Sequence, residues 1–406
     1  MERTEELTKL LKNTKNLILH GAPGTGKTYL AKNTAAYMHY KKSYAELDEK
    51  EKEELSEFVR VVQFHPSYDY TDFVEGIRPK NNASDTTDGF VRMDGTFKEF
   101  CKKCIEYNNK KREERKEYNE SKISELVTDY LKTDKFITVD LDGKKYKYNV
   151  SLKNGKKILI DHTASSCSFP VEKQSLIKYL LDTESVTFGA RAKAQKKVFE
   201  YIYNRLINDL PFIFIIDEIN RGELSKIFGE LFFSIDPDYR GEDGLVQTQY
   251  QNLVPDGDVF KKGFYVPENV YIIGTMNDID RSLESMDFAM RRRFTFEEIK
   301  VEDTQNDILT VLGQSIRDKA KIRMNLLNNA ISETEGLSSS YHIGAAYFLK
   351  YEMYKDESDP FDCLWKYNFK PLLQEYLRGQ GEEEEKLDIL KAAYDSADTE
   401  NAENAS

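Results

Sequence analysis

The residues Gly21-Ala22-Pro23-Gly24-Thr25-Gly26-Lys27-Thr28 form a complete phosphate-binding loop of the pattern G-x-x-x-x-G-K-[ST]. The apolar run 16–20 before the loop predicts a buried strand, and residues 29–38 after it have a helix-forming composition without Gly or Pro. Glycines let backbone N–H groups surround phosphate oxygens at the N-terminus of the helix. We therefore expect all eight residues to contact a nucleotide, with Lys27 at the outer phosphates and Thr28 on Mg²⁺.

Two acidic residues follow the continuous apolar run 212–216. The run itself predicts a central parallel strand that is buried on both faces. Asp217 is a candidate for the magnesium shell, and Glu218 is a candidate for polarising the attacking water. A strand that ends at two acids by chance is the alternative, and the phosphate loop makes it the weaker interpretation.

Two more stretches carry candidate catalytic groups. Asn277 follows another apolar strand, and its neutral amide is suited to orienting a lytic water. Three arginines, Arg291, Arg292 and Arg293, precede a further strand, and burying them would be costly without anionic partners. They are either a basic surface turn or a trans-acting group that neutralises charge on a neighbour's phosphate, and we favour the second interpretation.

The bulk composition narrows the class of protein. The chain has 406 residues and a net charge of −12, which argues against a protein that coats nucleic acid over its whole surface. Cys101 and Cys104 form a C-x-x-C, but they occupy apolar positions of an amphipathic helix and no second ligand pair follows. With no signal segment and no run of about 20 apolar residues, we expect a cytoplasmic protein with no membrane partner.

The chain divides into five predicted regions. Residues 1–122 and 191–300 are expected to form an α/β core, 123–190 a small α+β insertion, 301–380 a helical lid, and 381–406 an acidic disordered tail. Within the insertion, Asp142-Gly143 and Asn154-Gly155 predict hairpin turns. Its Lys and Tyr residues suit contact with a nucleic-acid backbone, but exposed strand faces commonly have this composition, so its role stays open.

Taken together, these motifs resemble the AAA+ family of ring-forming nucleotidases. Within that family they look like the McrB-like GTPases, the motor subunits of McrBC modification-dependent restriction systems. The resemblance covers about residues 10–380 apart from the insertion. The segments that carry it are Gln63-Phe64-His65-Pro66-Ser67-Tyr68 with Asp72-Phe73-Val74-Glu75-Gly76-Ile77-Arg78-Pro79, Ile216-Asp217-Glu218-Ile219-Asn220-Arg221, Lys226-Ile227-Phe228-Gly229-Glu230-Leu231, Met276-Asn277 with Asp280-Arg281-Ser282, Tyr341-His342-Ile343-Gly344 with Tyr347-Phe348, and Pro371-Leu372-Leu373-Gln374-Glu375-Tyr376.

The resemblance implies an α/β fold, an AAA+ P-loop NTPase parallel sheet flanked by helices. It also implies GTP rather than ATP, Mg²⁺, a hexameric ring, an McrC-like nuclease subunit as partner, and DNA bound through the assembled complex. A MoxR-like AAA+ ATPase that remodels protein partners is the alternative. A nucleotide-gated scaffold is a third possibility, and Glu218 and Asn277 argue against it because a scaffold needs no water-positioning groups.

Residue roles also follow from the resemblance. Asn277 corresponds to the water-orienting residue, Asp280 and Arg281 to its supporters, and Arg292 and Arg293 to arginine fingers. Three features depart from the family pattern: Asp278-Ile279 replaces Thr-Ala, Ala345-Ala346 replaces His-Ser, and no DNA-reading domain precedes the loop. We therefore expect DNA to be read by another chain or by the insertion, unless the form is truncated. Asn277-x-x-Asp280 is similar to the guanine-reading N-K-x-D, but its expected place is at the phosphate end, so no residue is identified as the guanine reader.

Overall fold

The computed structural model describes residues 2–79, 89–141, 144–165, 168–182, 186, 192–207, 209–279 and 288–397. The strands in these ranges are β1 (Asn16–Gly21), β2 (Val59–Gln63), β3 (Glu75–Pro79), β4 (Phe90–Asp94), β5 (Lys135–Leu141), β6 (Lys144–Lys153), β7 (Lys157–His162), β8 (Ser168–Glu172), β9 (Phe212–Asp217), β10 (Val270–Asn277) and β11 (Thr295–Glu298).

The helices of the same ranges are α1 (Glu2–Thr14), α2 (Lys27–Tyr40), α3 (Glu49–Ser56), α4 (Tyr70–Phe73), α5 (Thr96–Lys116), α6 (Glu120–Tyr130), α7 (Lys173–Leu181), α8 (Ala192–Leu206), α9 (Leu224–Phe228), α10 (Leu231–Ser234), α11 (Phe288–Arg291), α12 (Val301–Ile308), α13 (Gln314–Glu333), α14 (Ala345–Phe348), α15 (Pro360–Leu364), α16 (Lys370–Leu377) and α17 (Glu383–Asp395). None of these helices is long and apolar enough to cross a bilayer.

A five-stranded parallel sheet forms the centre of the core, in the order β11-β1-β10-β9-β2. Strand β9 lies between β10 and β2, and it is apolar from Phe212 to Ile216 because both of its faces are covered. Phe212 and Phe214 pack in one cluster with α5, whereas Ile213 and Ile215 pack in another with α1 and α2. The predicted α/β fold with a parallel sheet is confirmed.

The register of the sheet brings the predicted polar residues to one edge. Gly21 at the end of β1 lies beside Asn277 at the end of β10, and Gln63 of β2 lies beside Asp217 of β9. The carboxyl ends of parallel strands meet at the same edge, which is where open α/β sheets bind their ligands. The phosphate loop leaves the sheet at this edge.

The insertion contains a four-stranded antiparallel sheet, β5-β6-β7-β8. The Asn154-Gly155 turn joins β6 to β7, and both residues have positive φ, 52° and 67°. The other predicted turn, Asp142-Gly143, lies outside the described residues. Helix α8, predicted as part of the α/β core, instead buries Val198 and Phe199 in the apolar cluster of this insertion. The period of an amphipathic helix shows that one face is buried but does not show which sheet that face covers.

The lid is a helical domain whose apolar cluster includes Trp365. Its last helix corrects the predicted disordered tail, because residues 383–395 form α17 and bury Leu387, Leu390 and Tyr394 in the lid. Four successive glutamates, 382–385, dominated the composition there, but the first turn of a helix favours acidic side chains. Residues 398–406 lie outside the described ranges.

Cys101 and Cys104 lie on α5 and are fully buried, as the amphipathic pattern predicted. Burial raises the pKa of the Cys104 thiol well above its usual value. These side chains therefore pack as apolar groups in the core.

Candidate nucleotide-binding site

The phosphate loop connects β1 to α2 at the polar edge of the sheet. Gly26 has a φ of 81° immediately before α2 begins, a backbone conformation that a residue with a side chain rarely adopts. The Lys27 ammonium donates to the carbonyl oxygens of Gly21 and Ala22, at 3.0 and 2.8 Å. The loop thus folds around its own lysine and holds that positive charge at the N-terminus of a helix, a site suited to phosphate.

Thr28 and Asp217 approach each other as the two motifs predicted. The Thr28 hydroxyl donates to Asp217 Oδ1 at 2.7 Å, which joins the start of α2 to the tip of β9. Mg²⁺ is commonly held by one or two protein oxygens together with waters and substrate phosphates. This pair of oxygens therefore fits a magnesium ion bound with a nucleotide.

Thr275 was not predicted and joins the same group. Its hydroxyl donates to Asp217 Oδ1 at 2.6 Å, and the backbone N–H of Glu218 approaches the same hydroxyl at 3.3 Å. One residue of β10 therefore holds the Asp217 carboxylate and contacts the backbone of Glu218. The alternation of β10 could have placed Thr275 in the sheet, but only the strand order makes β9 its neighbour.

Glu218 is held between two partners. Asn277 Nδ2 donates to Glu218 Oε1 at 3.0 Å, and Arg221 Nε lies 3.0 Å from Oε2. The backbone of Glu218 has a φ of 55°, a strained conformation of the kind that concentrates at functional sites. The arrangement fixes a carboxylate next to the phosphate loop, where it can accept a proton from water.

Asp278, one of the departures from the family pattern, is tied to the phosphate-loop strand. His20 Nδ1 lies 3.0 Å from Asp278 Oδ1, and the Asp278 N–H donates to the carbonyl of Gly21. These contacts bind the end of β10 to the beginning of the loop. Asp280 and Arg281, the predicted supporters of Asn277, lie outside the described residues.

The lid contacts the phosphate loop through its backbone. The N–H groups of Gly344 and Ala346 donate to the carbonyls of Pro23 and Gly24, at 3.0 and 3.1 Å. A Cβ atom on Gly344 would lie 2.0 Å from the carbonyl carbon of Gly24, so a side chain cannot be placed there. The lid therefore closes directly on the loop, and this contact could not be read from either sequence segment alone.

The three arginines have different surroundings. Arg291 and Arg292 are exposed, whereas Arg293 packs against its own subunit: its Nη1 donates to the Ala289 carbonyl at 2.7 Å and its guanidinium lies over the ring of Phe232. Of the two predicted fingers, Arg292 is thus the one whose side chain is turned toward the exterior.

Comparison with protein families and curated proteins gives matches in two regions. Residues 319–385 match the family described as McrB, alpha-helical lid domain, and residues 180–294 match the AAA domain of the dynein-related subfamily. The chain is 29% identical over 383 residues to the Type IV methyl-directed restriction enzyme EcoKMcrB subunit of Escherichia coli strain K12.

That alignment covers 92% of this chain and 56% of the Escherichia coli protein, so the chain spans little more than half the length of that relative. A shorter alignment, 32% identical over 102 residues, matches the Type II restriction enzyme BsuMI component YdiS of Bacillus subtilis strain 168. It covers 24% of this chain and 29% of that protein.

Proposed function

We propose that this chain, an McrB-like AAA+ protein, is the GTP-hydrolysing motor subunit of an McrBC-like restriction system. As a nucleotide-hydrolysing enzyme it would form a hexameric ring, drive translocation on DNA, and depend on an McrC-like nuclease subunit for cleavage. The Escherichia coli relative is a subunit of a methyl-directed restriction enzyme, which supports the assignment to a restriction system.

The observation that carries the proposal is the meeting of three motifs at one edge of the sheet. The lysine of the phosphate loop, the Thr28–Asp217 pair and the Glu218–Asn277 pair come from three separate segments of the chain. Lys27 would bind the outer phosphates, and Thr28 with Asp217 would hold Mg²⁺, which neutralises charge on the phosphates. Glu218, oriented by Asn277 and Arg221, would accept the proton of the attacking water.

The exposed Arg292 supports a site that is completed by a neighbour. In this proposal its guanidinium stabilises charge that develops on the phosphate bound by the next subunit, a contribution of about 10³ to 10⁵ in rate where it has been measured in other enzymes. Because Arg293 packs against Phe232 of its own subunit, we assign Arg293 a supporting role.

The decisive experiment measures turnover of GTP and of ATP by the purified chain, with and without its nuclease-like partner. We expect GTP to be hydrolysed faster and the partner to stimulate it. A clear preference for ATP would contradict the GTPase assignment and favour a protein-remodelling ATPase.

A pair of glutamine variants tests the role of the carboxylate. Glu218→Gln should still bind nucleotide but hydrolyse it on the order of 10² more slowly, because water activation is removed. Glu223→Gln is the matched control, because Glu223 lies nearby and pairs with Lys226 on the surface. Turnover at the wild-type level in Glu218→Gln would reject the assignment.

A further inference from the structure

A buried asparagine lies at the opposite end of β1 from the phosphate loop. Asn16 is the first residue of the strand and is fully buried. Its Nδ2 donates to two backbone carbonyls, those of Ile235 at 2.7 Å and Arg293 at 2.9 Å. Both hydrogens of the amide are therefore used, and one of them fixes the main chain of the arginine triplet.

The oxygen of the same Asn16 amide accepts a hydrogen bond as well. Arg240 Nη2 donates to Asn16 Oδ1 at 2.5 Å, and Arg240 Nη1 is 3.4 Å from the carbonyl of Val270. Arg240 is 6% exposed, and its Nε has no hydrogen-bond partner among the described residues. Both of these oxygens are neutral, so no carboxylate of the described ranges is bonded to this buried guanidinium.

A buried charge of this kind is costly, and an apolar residue of similar volume would often serve stability as well or better. Burial lowers the pKa of Arg240 to about 10, so the group is still charged at neutral pH. The energetic cost indicates that the guanidinium has a use beyond stability. The use visible here is to lock the orientation of the Asn16 amide, since a charged donor can bond only its oxygen end.

The contacts of Arg293 continue this network to the surface. Its carbonyl is held by Asn16, its Nε lies 3.7 Å from Asp236, and its Nη1 bonds to Ala289. With Arg293 fixed at both main chain and side chain, the preceding Arg292 has its side chain turned outward. The hydrogen bonds from Arg240 through Asn16 thus reach the carbonyl of Arg293, next to Arg292, the residue proposed to act on the neighbouring subunit.

We propose that Asn16, oriented by Arg240, is a positioning residue for the trans-acting arginine. It fixes the backbone of the Arg291–Arg293 segment so that Arg292 is presented to the next subunit's nucleotide. The same strand, β1, carries the phosphate loop about 17 Å away at its other end. This inference rests on the proposed trans-acting role of Arg292.

The test is Asn16→Asp, which keeps the acceptor for Arg240 but loses both donated hydrogen bonds. Turnover should fall by about 10- to 100-fold, since a small misplacement of a catalytic group has effects of that size. Nucleotide affinity should change little. The melting temperature should fall modestly, because two carbonyls lose their donors while the new carboxylate pairs with Arg240. Asn269→Asp is the matched control, because Asn269 Nδ2 also donates to a backbone carbonyl, that of Leu210, away from the arginine segment.

Subunit mixing separates positioning from a general structural defect. Asn16→Asp chains are mixed with an excess of Glu218→Gln chains, which hydrolyse on the order of 10² more slowly but present a wild-type Arg292. Recovery of turnover by the Asn16→Asp subunits is expected, since their neighbours now supply a correctly held arginine. Failure to recover, or no loss of turnover in Asn16→Asp alone, would overturn the inference.

Two further variants keep the test decisive. If Asn16→Asp melts at a markedly lower temperature, Arg240→Met is used in the same mixing assay. This substitution removes the buried charge and the hydrogen bond that Arg240 donates to the Asn16 amide oxygen. Arg292→Ala is run in parallel. If Arg292→Ala hydrolyses at the wild-type rate, the trans-acting arginine itself is rejected, whereas loss in Arg292→Ala without loss in either network variant rejects only the positioning role.

Discussion

At the residue scale, the hydroxyl of Thr275 donates to the Asp217 carboxylate and accepts from the Glu218 backbone N–H. A hydrogen bond to a charged group is worth about 1.5–3 kcal/mol, so Thr275→Val should lower turnover by roughly tenfold or more by removing one of the two hydroxyls that hold Asp217. The loss should be largest at low magnesium, which a titration of steady-state turnover against Mg²⁺ would measure. Thr34→Val is the control, because its buried hydroxyl bonds within α2 to Leu30. Equal effects of both substitutions would contradict the assignment.

His39 gives a prediction about stability and pH. Burial lowers its pKa to about 3, while its Nε2 lies 2.8 Å from the carbonyl of Pro211. The folded-state pKa is below the unfolded value of about 6.5, so the unfolded chain binds more protons between these values and stability falls as the pH falls. From pH 7 to pH 5 the group should cost about 2 kcal/mol of unfolding free energy.

The measurement compares thermal unfolding at pH 7 and pH 5 for the wild type and His39→Gln. Glutamine keeps a donor toward Pro211 but does not titrate, so the variant should lose less stability on acidification. An identical acid-induced loss in the two proteins would show that other groups control it.

A strand boundary is what the sequence predicts best for a single residue. Asp217 and Asn277 each end an apolar run, and because their strands are neighbours in the sheet both residues lie at the same edge. Arg221 and His20 were not predicted as partners of Glu218 and Asp278. Such contacts depend on side-chain directions across strand tips, which periodicity does not describe.

At the element scale, the backbone contact between the lid and the phosphate loop leaves no room for a side chain at position 344. Gly344→Ala should lower nucleotide affinity by about tenfold or more, because the added Cβ would collide with the backbone at Gly24 and separate the lid from the loop. Equilibrium binding of a fluorescent nucleotide is the measurement. Gly313→Ala, in the same domain with open space around its Cα, is the matched control and should bind normally.

The elements that were misassigned have a common physical cause. The glutamates at 382–385 and the Ala-, Asp- and Asn-rich residues after them predict a helix that frays into a disordered tail, yet Leu390 and Tyr394 of α17 are buried completely. Helix α8 was assigned to the core, yet it covers the sheet of the insertion. In both cases the local composition shows that one face of the helix is exposed. Tertiary packing decides which part of the protein the apolar face covers.

At the scale of the whole molecule, the proposed site is incomplete in a single chain. Turnover per chain should therefore rise with chain concentration as neighbours contribute Arg292, at saturating GTP and Mg²⁺. A dilution series of specific activity, paired with sedimentation of the same samples, measures this. Constant activity per chain down to concentrations where only monomers sediment would show that one subunit suffices.

The meeting of Gly24 and Gly344 has a consequence for how this protein can diverge. Two backbones from distant parts of the chain touch with no side chain between them, since a Cβ on Gly344 would lie 2.0 Å from Gly24. Neither position has a smaller residue available to compensate for enlargement of the other. Correlated substitutions at this pair are therefore not expected among homologues. Methods that infer contacts from covariation would not detect this contact between the lid and the phosphate loop.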